Sequence, residues 1–205
     1  RLRYSVISVE FIWENHIIIK LLTKVICLML NVFMSICINL YMKMEKISMI
    51  KIGHGYDSHR YKDGDHIIIG GIKIISKRAI VAHSDGDILI HAICDALLGA
   101  SGNGDMGSYY NNSEKYKNID SSIFLQDVVK IIRDDNFSII NIDATIITEK
   151  PNISKHAKKI EDSVSKILNI KSEQINIKSK SNDKLGYVGR HEGIEAHVVL
   201  LIEKV

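Results

Sequence analysis

The stretch from Ala82 to Gly107, AHSDGDILIHAICDALLGASGNGDMG, constrains this chain more than any other. Polar residues open it, an apolar helical body follows, and a glycine-rich acidic loop closes it. Ser84 reads as the helix N-cap, with Asp87 in the first turn, where a carboxylate answers free N–H groups. His91 follows Asp87 by four positions, which puts both on one helical face. Ile88, Leu89, Ala92, Ala96 and Leu97 supply the buried side. Gly99, Gly102 and Gly104 then break the helix and free the backbone around Asp105. A helix start rich in His, Ser and Asp, with a second His one turn in, suits a metal or a phosphate.

Residues 1–48 read differently from the rest. Val25 to Met42 is an uncharged run of 18 residues between Lys24 and Lys43. That is the lower limit for a membrane span, and Asn31, Ser35 and Asn39 weaken it. Three readings fit: a targeting leader of the plastid type, a membrane anchor, or translated upstream sequence, since Arg1 opens the chain and Met49 stands just before the patterned region. A bacterial source would make the protein cytoplasmic, and a leader would send it to a plastid-type organelle. The expected domains are therefore 1–48, a hydrophobic extension, and 49–205, which carries the chemistry and is long enough to bury a core. Net charge is +3, too small to argue for a nucleic-acid partner. Three scattered cysteines form neither a disulfide framework nor a C-x-x-C zinc site, and Cys94 reads as a small core residue.

Along the body, Ile50 to Asp57 reads as a strand with glycines at its end. Asp63-Gly64-Asp65 is a turn. His66–Ile69 and Ile72–Ile75 make a hairpin around Gly70-Gly71. Helices are predicted from about Ser84 to Gly99, from Asp120 to Asp134 and from Ser154 to Leu168. Ile139 to Thr148 alternates as a strand with Ile140, Ile142, Ala144 and Ile146 on one face. Pro151 ends it. Gln174–Ser179 and Ile194–Ile202 are strands, separated by a loop from Ser181 to Gly193. This order predicts an α/β, two-layer (α+β) domain, a mixed sheet with helices packed on one face.

Asp57 and His59 form an Asp-x-His at a strand end, and the strand period of two sends both side chains to the same face. Together with His91 they would give three ligands and leave a fourth position open, as in catalytic zinc sites. Satisfied or surface histidines are the competing reading. His83-Ser84 at a helix start suits an anion, and plain capping by Ser84 is compatible with that. Asp105-Met106-Gly107 can contact hydroxyls or simply turn the chain. The run Lys178 to Lys184 puts lysines, hydroxyls and Asp183 after a strand. It suits a diphosphate and a second cation, or is a solvated charge run.

Taken together, these motifs closely resemble the 2-C-methyl-D-erythritol 2,4-cyclodiphosphate synthase family of the non-mevalonate isoprenoid pathway. The resemblance is carried by GHGYDSH at Gly53–His59, AHSDGD at Ala82–Asp87 with His91, DALLGA at Asp95–Ala100, GDMG at Gly104–Gly107, and LGYVGR at Leu185–Arg190 with Glu192-Gly193. It spans Met49 to Lys204 in order, and five motifs together are specific where each one is not. It implies a CMP-forming phosphorus–oxygen lyase acting on 4-diphosphocytidyl-2-C-methyl-D-erythritol 2-phosphate, and a homotrimer with active sites between subunits. It implies Zn2+ or a similar cation on Asp57, His59 and His91, and Mg2+ or Mn2+ on Asp183. His83 and Ser181 would be the catalytic, transition-state-stabilising residues. Ser58 joins Asp57 and His59 at the substrate, and His83 and Ser84 would hold its 2-phosphate. Asp105, Met106 and Gly107 would hold its hydroxyls, with Tyr110, Asn111, Asn112, Ser113 and Glu114 in the following loop. The cytosine pocket would be Thr148, Glu149, Lys150, Pro151, Asn152, Ile153 and Ser154, and the diphosphate loop Lys180, Ser181, Asn182 and Asp183. Tyr187 and Arg190 match positions at a central trimer cavity that in some members holds an isoprenoid diphosphate.

The chain departs from the family pattern at three places. Asp183 stands where Glu is usual, Asn152 where Lys is common, and Asn111-Asn112 where Pro-Asp is found. A non-catalytic trimer that binds isoprenoid diphosphates is the rival reading, and it would have no need of the zinc set or of Asp105.

Overall fold

The computed structural model describes residues 20–38, 49–110 and 119–205. The chain divides into two units, Arg1–Ile47 and Ser48–Val205. In the first, Lys20–Ile38 is a helix of 19 residues (α1), long and apolar enough to cross a membrane by length and composition. The end of the expected apolar run, 39–42, lies outside the described residues.

In the second unit the strands are β1 (Ile50–Asp63), β2 (His66–Ile69), β3 (Ile72–Ile75), β4 (Arg78–Ile80), β5 (Phe137–Ile147), β6 (Ile175–Lys180) and β7 (Gly193–Lys204). The helices are α2 (Ile88–Ser101), α3 (Met106–Tyr109), α4 (Ser121–Asp134), α5 (Ala157–Leu168) and α6 (Gly186–Gly189). The main sheet runs β4-β1-β7-β5-β6, and β2-β3 is a separate hairpin. The β5–β6 pair is parallel, while β1–β7 and β5–β7 are antiparallel, so the sheet is mixed and the domain is α+β.

Alternation on β7 assigns the faces. Ile194, Ala196, Val198, Leu200 and Ile202 are buried, whereas Val199 between them is exposed. The buried face carries α2, which is apolar on nearly every side and is covered in turn by α4, as an all-round apolar helix requires. Leu125, Val128, Val129 and Ile132 of α4 are buried at the expected spacing, joined by Phe124.

Several expectations need correction. The helix read from Ser84 starts at Ile88, and its N-cap is Asp87, whose carboxylate accepts the Ile90 N–H. Asp87 is fully buried, because the same carboxylate also accepts the N–H groups of Gly70 at 2.9 Å and Gly71 at 2.6 Å. Ser84 therefore does not cap the helix. The helix also runs past Gly99 to a left-handed Gly102. On β5, a register irregularity between Ile139 and Asn141 shifts the alternation, so Ile139 is buried and Ile140 only half so. A bulge of this kind places two residues against one and moves the side chains beyond it to the other face. The short helices α3 and α6 lie in stretches that give no helical signal, and β4 lies in a stretch to which no element is assigned; three or four residues are too few to show a period.

The largest difference is in β1, where Gly53 and Gly55 lie inside the strand and do not end it. A Cβ on Gly55 would fall 1.8 Å from the Ala92 carbonyl oxygen, and one on Gly53 would fall 2.0 Å from that of Ala96. Glycine is required because the helix backbone rests on the strand backbone. Gly55→Ala should therefore cost about 3 kcal/mol or more through overpacking. Gly99→Ala, an exposed helical position where a Cβ meets nothing within 4 Å, should be neutral or gain about 0.5–1 kcal/mol. Urea-denaturation midpoints of the two variants check the contrast. Equal destabilisation by both would contradict the contact.

Candidate metal centre and active site

The close seating of α2 on β1 decides which side chains meet. Ala92, Ala96 and Ala100 face the glycines of β1. His91, next to Ala92, is thereby brought to Asp57, two residues beyond Gly55. Asp57 Oδ2 lies 3.1 Å from His91 Nδ1 and 3.1 Å from His59 Nε2. The imidazoles meet edge to face with centroids 5.6 Å apart, and one ligand atom from each of Asp57, His59 and His91 falls within 4.8 Å of the others.

The residues fit a divalent cation. His59 Nε2 is buried and, although 3.1 Å from Asp57 Oδ2, makes no well-aligned hydrogen bond, which suits a nitrogen placed to share an ion with that carboxylate. Burial alone would raise the Asp57 carboxyl, but the close approach and charge of the two imidazoles outweigh it and hold the group well below the usual carboxylate range. The carboxylate therefore stays charged. Burial disfavours the His91 imidazolium, and the bond to Asp57 more than offsets this, so its pKa is raised.

Sequence reasoning missed what orients His91. Ser121 Oγ donates to Asp85 Oδ1, and the Ser121 N–H reaches Asp85 Oδ2 at 3.1 Å. Its proton spent, the Ser121 oxygen accepts from His91 Nε2 at 3.1 Å. That keeps a proton on Nε2, so that Nδ1, which donates to Asp57 Oδ2 while the imidazole is protonated, is the nitrogen a cation would take. Such outer partners fix the tautomer and ring orientation of a metal-binding histidine. Ser121 opens α4, and neither it nor Asp85 carries a local sequence signal of this role.

A cavity of about 240 Å³ opens over this cluster, lined by Asp57, His59, Ala82, His83, Ser84, His91, Asp95, Met106, Gly107, Tyr110 and Phe124. The structure thus brings His83, Ser84, Met106, Gly107 and Tyr110 into one cavity with Asp57, His59 and His91. His83 and Ser84 stand in the loop before α2, so the helix N-terminus does not form their site. Ser84 Oγ lies 3.2 Å from His91 Nε2. Asp95 was not anticipated at the cavity. It accepts the Met106 N–H at 2.8 Å, pinning the glycine-rich loop to α2. Burial, with Asp105 and Asp57 adding negative charge, raises its pKa. Asp105 does not line the cavity: its carboxylate caps α3, accepting the Ser108 N–H at 2.9 Å and hydroxyl at 2.8 Å. Asn111, Asn112, Ser113 and Glu114 lie outside the described residues.

The remaining expected residues sit elsewhere. Ser58 faces the opposite side of β1 and lines a second depression with His59, Arg60, Tyr187 and Glu192. The Arg190 guanidinium is bound at two points to Glu192, at 2.9 and 3.0 Å. Tyr187 OH lies 3.2 Å from Tyr56 OH. Thr148 is buried, with its hydroxyl between Tyr61 OH at 2.9 Å and the Lys150 carbonyl at 2.8 Å. Asn152 Oδ1 accepts the Ser154 N–H at 3.0 Å and caps the turn Ile153–Lys155, whose Ile153 is buried. Lys150, Pro151 and Asn152 line a separate cavity of about 610 Å³ with Ile75–Arg78 and His191. Ser181, Asn182 and Asp183 are exposed in the loop after β6, with Lys180 at the strand's end. Neither 148–154 nor 180–183 reaches the Asp57 cavity within one chain.

Residues 50–203 match the model of the YgbB family. A 2-C-methyl-D-erythritol 2,4-cyclodiphosphate synthase of Francisella tularensis subsp. novicida is 46% identical over 154 residues, covering 74% of this chain and 97% of its own. The synthase of Azotobacter vinelandii is 41% identical over 154 residues, covering 75% and 98%. Among solved structures, a CDP complex of IspF from Plasmodium falciparum aligns with TM-score 0.68 and 37% identity, covering 76% of this chain and 96% of that one. The Plasmodium vivax synthase aligns with TM-score 0.66 and 29% identity, covering 77% and 99%.

The cluster generates a prediction independent of turnover. The purified chain should carry about one zinc-class ion per subunit, and His91→Ala should lose it. Ser121→Ala should keep the ligands yet weaken the ion about 10- to 100-fold, the usual effect of removing an outer partner. Chelator competition followed by elemental analysis checks both. Full metal in His91→Ala would mean that the ligand set is wrong.

Proposed function

The chain belongs to the YgbB family, and on that premise we propose that it converts 4-diphosphocytidyl-2-C-methyl-D-erythritol 2-phosphate to 2-C-methyl-D-erythritol 2,4-cyclodiphosphate and CMP. It is an enzyme of isoprenoid biosynthesis on this reading, and the activity resides in residues 49–205. The observation that carries it is the convergence of Asp57, His59 and His91, with His59 Nε2 making no well-aligned hydrogen bond, at the floor of a polar cavity.

The reaction is an internal displacement. An oxygen of the substrate's 2-phosphate bonds to the β-phosphorus, and the bond from that phosphorus to the CMP oxygen breaks. The attacking group is already an anion on the substrate, so no Ser or Cys nucleophile is required. Cys94 suits that exclusion, being fully buried with its thiol pushed well up by burial. A zinc-class ion on the three ligands and Mg2+ or Mn2+ at Asp183 would supply charge neutralisation across the diphosphate. His83 and Ser84, on the cavity wall beside His91, bind the 2-phosphate and orient it for in-line attack. His83 and Ser181 donate to oxygens that gain charge in the transition state. Met106 and Gly107 hold the hydroxyl end, with Asp105 able to join them once its α3 cap is exchanged for substrate.

The nucleotide and diphosphate segments lie away from the Asp57 cavity of their own chain, which supports a site completed by a second copy in a homotrimer. The open sheet face, with Ile52, Tyr56 and Val199 exposed, is suited to bury against such copies. An isoprenoid diphosphate at the trimer centre would draw on Tyr187 and Arg190, and would have to compete with Glu192 for the guanidinium.

Phosphorus NMR of the full chain with the diphosphocytidyl substrate tests the reaction. Resonances of the cyclic diphosphate and CMP should grow in equal amounts. Linear diphosphate with no cyclic product would overturn the reading. At saturating substrate, Asp183→Glu should lower the Mg2+ or Mn2+ concentration for half-maximal rate, because the longer side chain reaches the ion without moving the loop. Asp183→Asn should raise it about tenfold or more, having removed the charge. An Asn variant that titrates like the parent would remove Asp183 as a ligand.

A further inference from the structure

We propose that Glu149 is a positioning residue for the loop that carries Asp183, and not a contact for the nucleotide. This role rests on Asp183 holding the second cation, as proposed above.

Glu149 stands just after β5, half-buried. Its Oε1 accepts the Asn182 N–H at 3.0 Å and the Lys184 N–H at 3.1 Å. These are the two amides that flank Asp183. Asp183 and Lys184 both adopt left-handed backbone, with φ of 47° and 61°. Side-chain-bearing residues seldom do so, and two in succession need outside support. Successive amides in turn conformations form a concavity that attracts an anion, and here the Glu149 carboxylate fills it.

The loop is held from other directions as well. The Leu185 N–H donates to the Asn182 carbonyl at 2.8 Å, and Asn182 Nδ2 donates to the Leu185 carbonyl at 2.9 Å. Lys184 lies against Gly189, where a Cβ would fall 2.1 Å from the Lys184 carbonyl carbon. The Thr148 N–H donates to the Lys180 carbonyl at 2.9 Å, joining the two segments one step before the clamp. Glu149 is the member that grips both sides of Asp183 at once. An aspartate has one methylene less reach than glutamate, so the backbone position sets where its carboxylate can go. Both amides grip the same oxygen, Oε1, which fixes the orientation of the carboxylate toward the loop.

The test uses the full chain and two variants. Glu149→Ala removes the acceptor, and Glu149→Gln keeps one. Amide hydrogen exchange at Asn182 and Lys184, measured without added Mg2+ or Mn2+, should accelerate about tenfold in the Ala variant, the scale of one lost hydrogen bond, and less in the Gln variant. The Mg2+ concentration for half-maximal rate should rise about tenfold in Glu149→Ala, be largely restored in Glu149→Gln, and leave kcat at saturating Mg2+ within about twofold. Unchanged exchange in Glu149→Ala overturns the clamp. Faster exchange with an unmoved Mg2+ titration overturns the positioning role, provided Asp183→Asn moves that titration. If Asp183→Asn does not move it, the cation reading fails separately, and the positioning role fails with it. A KM for the diphosphocytidyl substrate that rises equally in the Ala and Gln variants would make Glu149 a nucleotide contact and overturn it as well.

Discussion

The backbone of α2 lies directly on the backbone of β1, and the Asp57, His59 and His91 cluster depends on that contact. Gly53 and Gly55 remove the Cβ atoms that would hold the helix off, and Ala92, Ala96 and Ala100 present the smallest side chain that keeps a helix stable. One residue from Ala92 is His91, and two from Gly55 is Asp57. The distance between imidazole and carboxylate is thus fixed by main-chain packing and does not rely on side-chain flexibility. Asp87 adds a second constraint. Its buried carboxylate accepts amides from the hairpin and from the first turn of α2 together. Burial pushes this carboxyl up, and the three amide donors pull it back. A carboxyl group bonded in this way ties the start of α2 to β2–β3 and sets the axial position of His91.

Around this frame the acidic residues divide by task. Asp57 faces two imidazoles and stays ionised, as a carboxylate able to hold a cation must. Asp85 reaches the site only through Ser121, holding the hydroxyl that selects the His91 tautomer. Asp95 holds the loop before α3, and Asp105 holds the helix that follows. Each carboxylate is identified by what its oxygens accept, so residues of one type, crowded into one stretch of chain, are not interchangeable. The β5–β6 side repeats the pattern with Glu149 and the loop after β6.

Much of this is legible in the sequence. The β2–β3 hairpin follows from Gly70-Gly71 between two short apolar runs, and α4 from the spacing of Leu125, Val128, Val129 and Ile132. The Asp57, His59 and His91 set follows from the strand period and a resemblance spanning several motifs. What is hidden is hidden for physical reasons. A glycine inside a strand looks like a strand end until the helix it must admit is known. Ser84 and Asp87 are both good caps, and only the Gly70 and Gly71 amides decide between them. The bulge at Ile139–Asn141 costs one residue of register and leaves no mark on composition. Ser121 and Glu149 act through partners 36 and 33 residues away, a separation that no local pattern records.

The central claim is that β1 and α2 together build a three-ligand metal centre from one carboxylate and two imidazoles. X-ray absorption at the zinc edge of the metal-loaded chain reads that first shell directly. The account predicts two nitrogen scatterers with imidazole outer-shell features at about 2.0–2.1 Å and oxygen at about 2.0–2.2 Å, with no sulfur. A sulfur scatterer near about 2.3 Å, or a single imidazole, would place the ion elsewhere and contradict it.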